Sequence, residues 1–392
     1  MTSPDPGTPA ARTGPPDGAA SADAAQRRQI ARVSEACATF LAARAEEVDD
    51  VSPAGAPLVE ALTELTRGGK KMRAVLAWIG WRAAGGSPDA VAPVRLGAAL
   101  ELFQAAALIH DDVIDRSDTR RGAPSAHRRF EQLHRGAAHR GEAGHFGVSA
   151  AVLAGDLALS WAGQAFGEAQ DAAAAERTGA EADDAGREAR LRFHRMHTEV
   201  IAGQYLDVLD EVRAPAASAS EALDRARRVL RHKSARYSTE HPLVLGAALA
   251  GAPAALRESL AAAALPTGEA FQLRDDLLGV FGDPETTGKP VGDDLREGKR
   301  TELIAHGLFG ASEQQARELE AMLGEPRLTA AEVERAREIL LGAGAVEAVE
   351  ASIAELVAAA RTGTEQLPSL GAADDVVADL QAVADRLVRR SR

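Results

Sequence analysis

Leu108-Ile109-His110-Asp111-Asp112-Val113-Ile114-Asp115 closes an apolar stretch that runs through Leu100, Phe103, Ala107 and Leu108. Apolar residues three and four apart read as one helical stripe. Asp111 and Asp115, four apart, then project from one face with Asp112 beside them. Three like charges at a helix C-terminal end repel one another and oppose the macrodipole. The arrangement costs stability unless cations occupy it. Replacing Asp111 or Asp115 by Ala is therefore expected to leave the metal-free protein as stable as before, or more so. Hard carboxylate oxygens suit Mg²⁺. A solvated acidic helix end would present the same residues, so the reading needs a second element.

That element is Phe271-Gln272-Leu273-Arg274-Asp275-Asp276-Leu277-Leu278-Gly279, again paired Asp on an apolar helix, with Gln272 one turn before them. Mg²⁺ keeps waters and shares its shell with substrate phosphates, so facing carboxylates point to a diphosphate bridged by metal. Cations form a separate set. Gly68-Gly69-Lys70-Lys71-Met72-Arg73 precedes an apolar helix, where exposed N–H groups and a helix N-terminus favour anions. Alone it would read as a loop with a basic turn. Arg120-Arg121-Gly122 follows the first acidic motif, and Lys233, Lys289 and Lys299 complete the set. Carboxylates for metal and separate cations fit two anionic groups bound in two ways.

Composition agrees. Apolar residues make up 45% but aromatics only 4%, so Ala, Leu and Val carry the core and the bias is all-α. The net charge of −13 leaves no basic excess for nucleic acid. Lone Cys37 excludes a disulfide framework and a cysteine zinc cluster. No signal-peptide core is present and no run approaches a membrane span, so a soluble cytoplasmic protein without stable membrane insertion is expected. Only five of the 45 basic residues are Lys, and all five lie in the segments above or at Lys233. Arg and Lys are not interchangeable at an anion site.

Residues 1–25 read as a disordered Pro/Gly/Ala-rich tail and 26–392 as one domain. Helices are expected at 57–66, 71–85, 90–115, 147–170, 188–212, 219–250 and 253–281, then amphipathic helices starting at Ser312 and Thr329. The acidic, Ala-rich stretch 171–188 reads as a flexible insertion. His194 and His197 read as a partly exposed helix face. His127, His134, His139 and His145 read as a loop rather than a zinc site. A His-Asp phosphohydrolase needs a His from an earlier helix, and His110 is the first in the chain.

In these motifs, taken in order from Gly68 to Gly298, the chain resembles the trans-isoprenyl diphosphate synthases, or polyprenyl synthetases, such as farnesyl and geranylgeranyl diphosphate synthases. The resemblance implies a single bundle of antiparallel helices around a deep apolar cavity, usually as a homodimer. It implies a prenyltransferase that condenses isopentenyl diphosphate with an allylic diphosphate. Asp111, Asp115 and Asp275 would be ligands of a three-magnesium cluster; Arg120, Lys233 and Lys299 would hold the allylic diphosphate. Lys70, Arg73 and Arg121 would clamp isopentenyl diphosphate, with Gln104 where many members have His. Lys71, Gln272 and Lys289 take supporting roles. Gly155-Asp156 and Gln204 with Asp207 match further family segments, and Ser234 replaces a frequent Thr. Terpene cyclases share the acidic helix but lack the Lys70, Arg73 and Arg121 clamp. Gly279 departs from the family by removing the last carboxylate of the second motif. That leaves a weakly catalytic subunit of a partner synthase as an alternative, and Gly279→Asp is expected to lower the Mg²⁺ requirement.

Product length is read from the first acidic helix. Ala107 and Ala106 are too small to stop a growing tail, and Phe103, a turn deeper than Ala107, is the first bulky residue on that face. One turn is ~5.4 Å, about one isoprene unit. Farnesyl-producing relatives place an aromatic at the shallower level, so geranylgeranyl diphosphate is the expected product, with farnesyl or longer products as alternatives.

Overall fold

The computed structural model describes residues 17–176, 180–282 and 292–388. They form a helical bundle whose single extended pairing, among the described residues, is Thr119–Arg120 against Ala123–Pro124. The helices that frame the site are α1 (Asp17–Val51), α2 (Ala56–Thr66), α3 (Met72–Ala83), α4 (Ala92–Ile114), α5 (Ala126–Gly136), α6 (Ala143–Ala175), α7 (Ala180–Val212) and α8 (Ala219–Val229). A π-helix (Leu230–Glu240), α9 (His241–Leu249) and α10 (Ala254–Phe281) follow, and shorter helices then run to Asp374–Val388. Ser312 and Thr329 start helices as expected, each closing a capping box with the residue three positions on.

α4 is the central rod. Leu96, Leu100, Phe103, Ala106 and Ile109 are all buried, so it is covered on most sides. Its main neighbour is α6, which turns buried Ala151, Ala154, Ala158, Ala162 and Ala165 toward the core. Small side chains at that spacing let helix axes approach to about 8 Å. α3 crosses α9 closely, and α10 lies on the helix Ala345–Glu365.

Several expectations are corrected. α1 begins by Asp17, inside the stretch read as tail, because Ala-rich sequence is helix-forming without an apolar stripe. Within the stretch read as a flexible insertion, the described residues are helical: α6 runs to Ala175 and α7 starts at Ala180. Ala173, Ala185 and Ala189 are buried, and Gln170 donates to the Gly186 carbonyl at 2.7 Å. The histidine-rich stretch holds helix α5, with His127 and His134 buried. The helix expected over 219–250 is divided in three. Pro242 has no N–H to give Ser238, and the ladder just before it runs in the wider π register. Finally, α4 and α6 are each long and apolar enough to cross a membrane, contrary to the expectation of no such run. In α4, 72% of the apolar window is buried inside the bundle; in α6, 39%.

Candidate active site

Asp111 lies in the last turn of α4 and Asp115 caps it. Asp111 Oδ1 stands 3.2 Å from the Lys233 ammonium and accepts from Gln204 Nε2 at 3.3 Å. Arg120 approaches its other oxygen at 3.6 Å and donates from Nε to buried Asp112 at 2.9 Å. Burial would raise the Asp111 carboxyl, but Lys233, Lys299 and Arg120 outweigh it and bring the pKa down to about 2. Asp115 behaves oppositely. Its loss of hydration outweighs the pull of Lys299 and, with Asp111 and Asp207 nearby, holds its carboxyl above the ordinary value. The protein's own cations thus offset the cost of ionising Asp111 but not that of Asp115.

Lys233 reaches this point from the π-helix. A Cβ on Gly203 would lie 2.4 Å from the Lys233 backbone nitrogen, so glycine is what lets α7 cross there. The ammonium sits between Asp111 and Asp207 of α7, and these carboxylates overcome burial to hold it above lysine's ordinary range. Lys299 stands 3.4 Å from Asp115 Oδ2 and 3.6 Å from Asp294 Oδ1, and also contacts Glu297. On α10, Gln272 donates to Asp276 at 2.9 Å. Burial raises the Asp276 carboxyl, and nearby Asp294 and half-buried Asp275 add to the effect. Both acidic motifs therefore border the Lys299 and Asp294 pair.

A second region gathers the other cations. Gly68, Gly69 and Lys71 have left-handed backbones, with φ of 74°, 77° and 45°, and fold the loop back toward Arg121. The Arg121 guanidinium lies 3.8 Å from where a Gly69 Cβ would be. Lys70 is exposed on this loop. Arg73 stacks over the Tyr237 ring at 4.1 Å and donates to Ser238 Oγ at 2.9 Å, while the Tyr237 hydroxyl donates to Gln104 Oε1. The Gln104 carbonyl oxygen is thus engaged, and its N–H₂ is the end that can serve an anion. The buried Lys71 ammonium donates to the Thr66 carbonyl at 2.8 Å and to Glu101 at 3.3 Å, so it braces the loop. Lys289 lies outside the described residues.

The sequence reading missed the placement of three side chains near these groups. Glu211 lies two turns along α7 from Gln204; burial, with Asp207 and Asp115 nearby, pushes its carboxyl up to about 7. The spacing of 204, 207 and 211 was a usable signal. Asp294 follows the second motif in a segment that gave no helical periodicity. His197, read as partly exposed, packs between Phe103 at 4.3 Å and Phe193 at 4.5 Å. Burial drives its imidazole down to about 4, and its Nε2 has no partner.

The donors are hard oxygens, and the buried Asp115 Oδ2 accepts no hydrogen bond, so the residues present fit Mg²⁺. Among the described residues, no three acidic, His or Cys side chains are close enough to hold a metal unaided.

The family profile described as Polyprenyl synthetase matches residues 56–340. A geranylgeranyl pyrophosphate synthase from Corynebacterium glutamicum, solved with isoprenyl diphosphate and magnesium, superposes with a TM-score of 0.83. Its identity is 38%, covering 93% of this chain and 99% of that one. The short chain isoprenyl diphosphate synthase of Methanocaldococcus jannaschii is 31% identical over 70% of this chain and 73% of its own length. A geranylfarnesyl diphosphate synthase from Aeropyrum pernix is 27% identical over 82% and 91%.

Proposed function

Since this chain belongs to the polyprenyl synthetase family and condenses isopentenyl diphosphate with allylic diphosphates in a magnesium-assisted reaction, we propose that its main product is geranylgeranyl diphosphate. The observation that carries the product is the ring of Phe103, 1% exposed, set between His197 at 4.3 Å and Tyr237 at 5.2 Å. On the same helix the small side chains of Ala106 and Ala107 lie between that level and Asp111. An elongating tail running down α4 passes the alanines and stops on the ring. Phe103→Ala should lengthen the main product, and Ala107→Phe or Ala106→Phe should shorten it, read by mass spectrometry of the dephosphorylated products. An unchanged product in all three would remove α4 as the ruler.

In this reading Asp111, Asp115 and Asp275 hold the magnesium, three ions by family resemblance, which when bound neutralises charge developing on the leaving diphosphate. Arg120, Lys233 and Lys299 bind that diphosphate. Each faces a carboxylate in this structure, and with the metal held by Asp111, Asp115 and Asp275 these three cations would be free to pair with phosphate oxygens instead. The cations are already in place, so little reorganisation is needed when the diphosphate binds. Lys70, Arg73, Arg121 and Gln104 orient isopentenyl diphosphate; Gln272 fixes Asp276. The allylic C–O bond breaks, the isopentenyl double bond supplies the electrons of the new C–C bond, and a proton leaves to the departing pyrophosphate. No side-chain base is required. The aromatic residues around Phe103 keep water from the cation.

The working unit is a homodimer. α6 leaves Phe146, Val152 and Leu153 exposed, the last by 60%. A second copy covering this face would explain why so apolar a helix is so incompletely buried by its own chain.

A further inference from the structure

The second acidic motif lacks a carboxylate at Gly279, one turn after Asp275 on the same face of α10. The structure shows what fills that place. A Cβ built on Gly279 would fall 1.8 Å from Asp294 Oδ2 and 2.6 Å from its Cγ. The volume a side chain at 279 would take already contains a carboxylate, delivered by the short helix Asp293–Glu297. That helix follows Gly292, whose φ of 73° turns the chain toward α10.

The Asp294 carboxylate is also tied to the first motif. The Lys299 ammonium lies 3.6 Å from Asp294 Oδ1 and 3.4 Å from Asp115 Oδ2, so one cation spans both. The Asp115 side chain is only 2% exposed, and its Oδ2 on that ammonium accepts no hydrogen bond. That oxygen has the Lys299 ammonium as its ionic neighbour but accepts no hydrogen bond, so it keeps a lone pair that a metal ion sharing the Lys299 position could use.

We propose that Asp294 is the missing carboxylate of the second motif: it stands in for the side chain absent at Gly279 and acts with Asp275 on the magnesium-bound diphosphate. The inference rests on the proposed metal role of Asp111 and Asp115. It reverses the expectation for Gly279→Asp. Two carboxylates would then contend for one volume, so that variant needs more metal rather than less.

The test is direct binding of Mn²⁺, followed by electron paramagnetic resonance of the free ion, to the full chain with inorganic pyrophosphate. Asp294→Asn, nearly isosteric, should weaken Mn²⁺ binding about tenfold or more, as loss of a carboxylate close to a metal does. Its metal-free pyrophosphate affinity should hold. The exchange Gly279→Asp with Asp294→Gly should recover much of the loss, with thermal melts checking the fold. Wild-type Mn²⁺ affinity in Asp294→Asn would overturn the proposal. So would a matching fall in metal-free pyrophosphate binding, which would mark Asp294 as only a brace for Lys299. Asp111→Asn separates the two levels: if it too binds Mn²⁺ normally, the underlying metal assignment has failed; if it alone loses binding, only the Asp294 role has.

Discussion

Asp111→Ala lowers turnover by about a thousandfold or more, the scale of losing a principal electrostatic stabiliser of the transition state. The same substitution weakens the metal-free fold, which reverses the expectation from clustered acids. In the structure Asp111 faces Lys233, Arg120 and Gln204, and its carboxyl is held down to about 2. A depressed carboxylate pKa contributes stability that is fully present above the unfolded value near 4 and is lost as pH falls toward the folded one. The contribution is about 2 kcal/mol at neutral pH by that linkage. The gap in melting temperature between wild type and Asp111→Ala should thus be widest near pH 7 and narrow as pH is lowered through 4. Asp115→Ala should differ. The Asp115 carboxyl is raised, so its ionised form costs stability above the unfolded pKa, and removing it should leave the melting temperature level or higher. Equal behaviour of the two variants would show that the cations do not distinguish the two carboxylates.

Lys299→Met carries the largest stability effect. The ammonium is the shared neighbour of Asp115, Asp294 and Glu297, and removing it leaves buried carboxylates without their counter-ion. Breaking a buried ion pair from one side costs about 3–5 kcal/mol. The deprived carboxylates would have raised pKa values, and such groups destabilise above their unfolded pKa and recover as pH falls. The deficit should shrink between pH 7 and pH 5. Mg²⁺ with pyrophosphate should restore part of it, because a divalent cation can take over the carboxylates. Turnover should fall with the loss of a diphosphate ligand even where the variant stays folded. A melting temperature unchanged at pH 7 would mean that the acids are hydrated and the ammonium is not holding them.

What the sequence made legible was what local spacing controls. The stripe through Leu100, Phe103 and Ala107 placed Asp111 and Asp115 on one helix face, and Ser312 and Thr329 announced their helices. Composition gave the helical class. Features set by register and crossing were not legible. The π-helix around Lys233 depends on Pro242 downstream and on close passage past Gly203. Lys70 and Lys71 are neighbours of the same type, yet φ of 45° at Lys71 sends one ammonium inward to Glu101 and leaves the other exposed. His197 looked exposed because arginines flank it in sequence, whereas Phe193, His197 and Gln204 follow the inner stripe of α7. The acidic stretch after Asp171 was misread because charge was weighed above the helix propensity of alanine. Asp294 was hidden by distance: nothing in sequence places it in the space left at Gly279.

The most direct measurement incubates the pure protein with Mg²⁺, isopentenyl diphosphate and each allylic primer in turn, followed by mass spectrometry of the dephosphorylated products. Elongation that needs Mg²⁺ and ends mainly at geranylgeraniol is the predicted result. Absence of any elongated prenyl product with every primer at saturating Mg²⁺ would contradict the account.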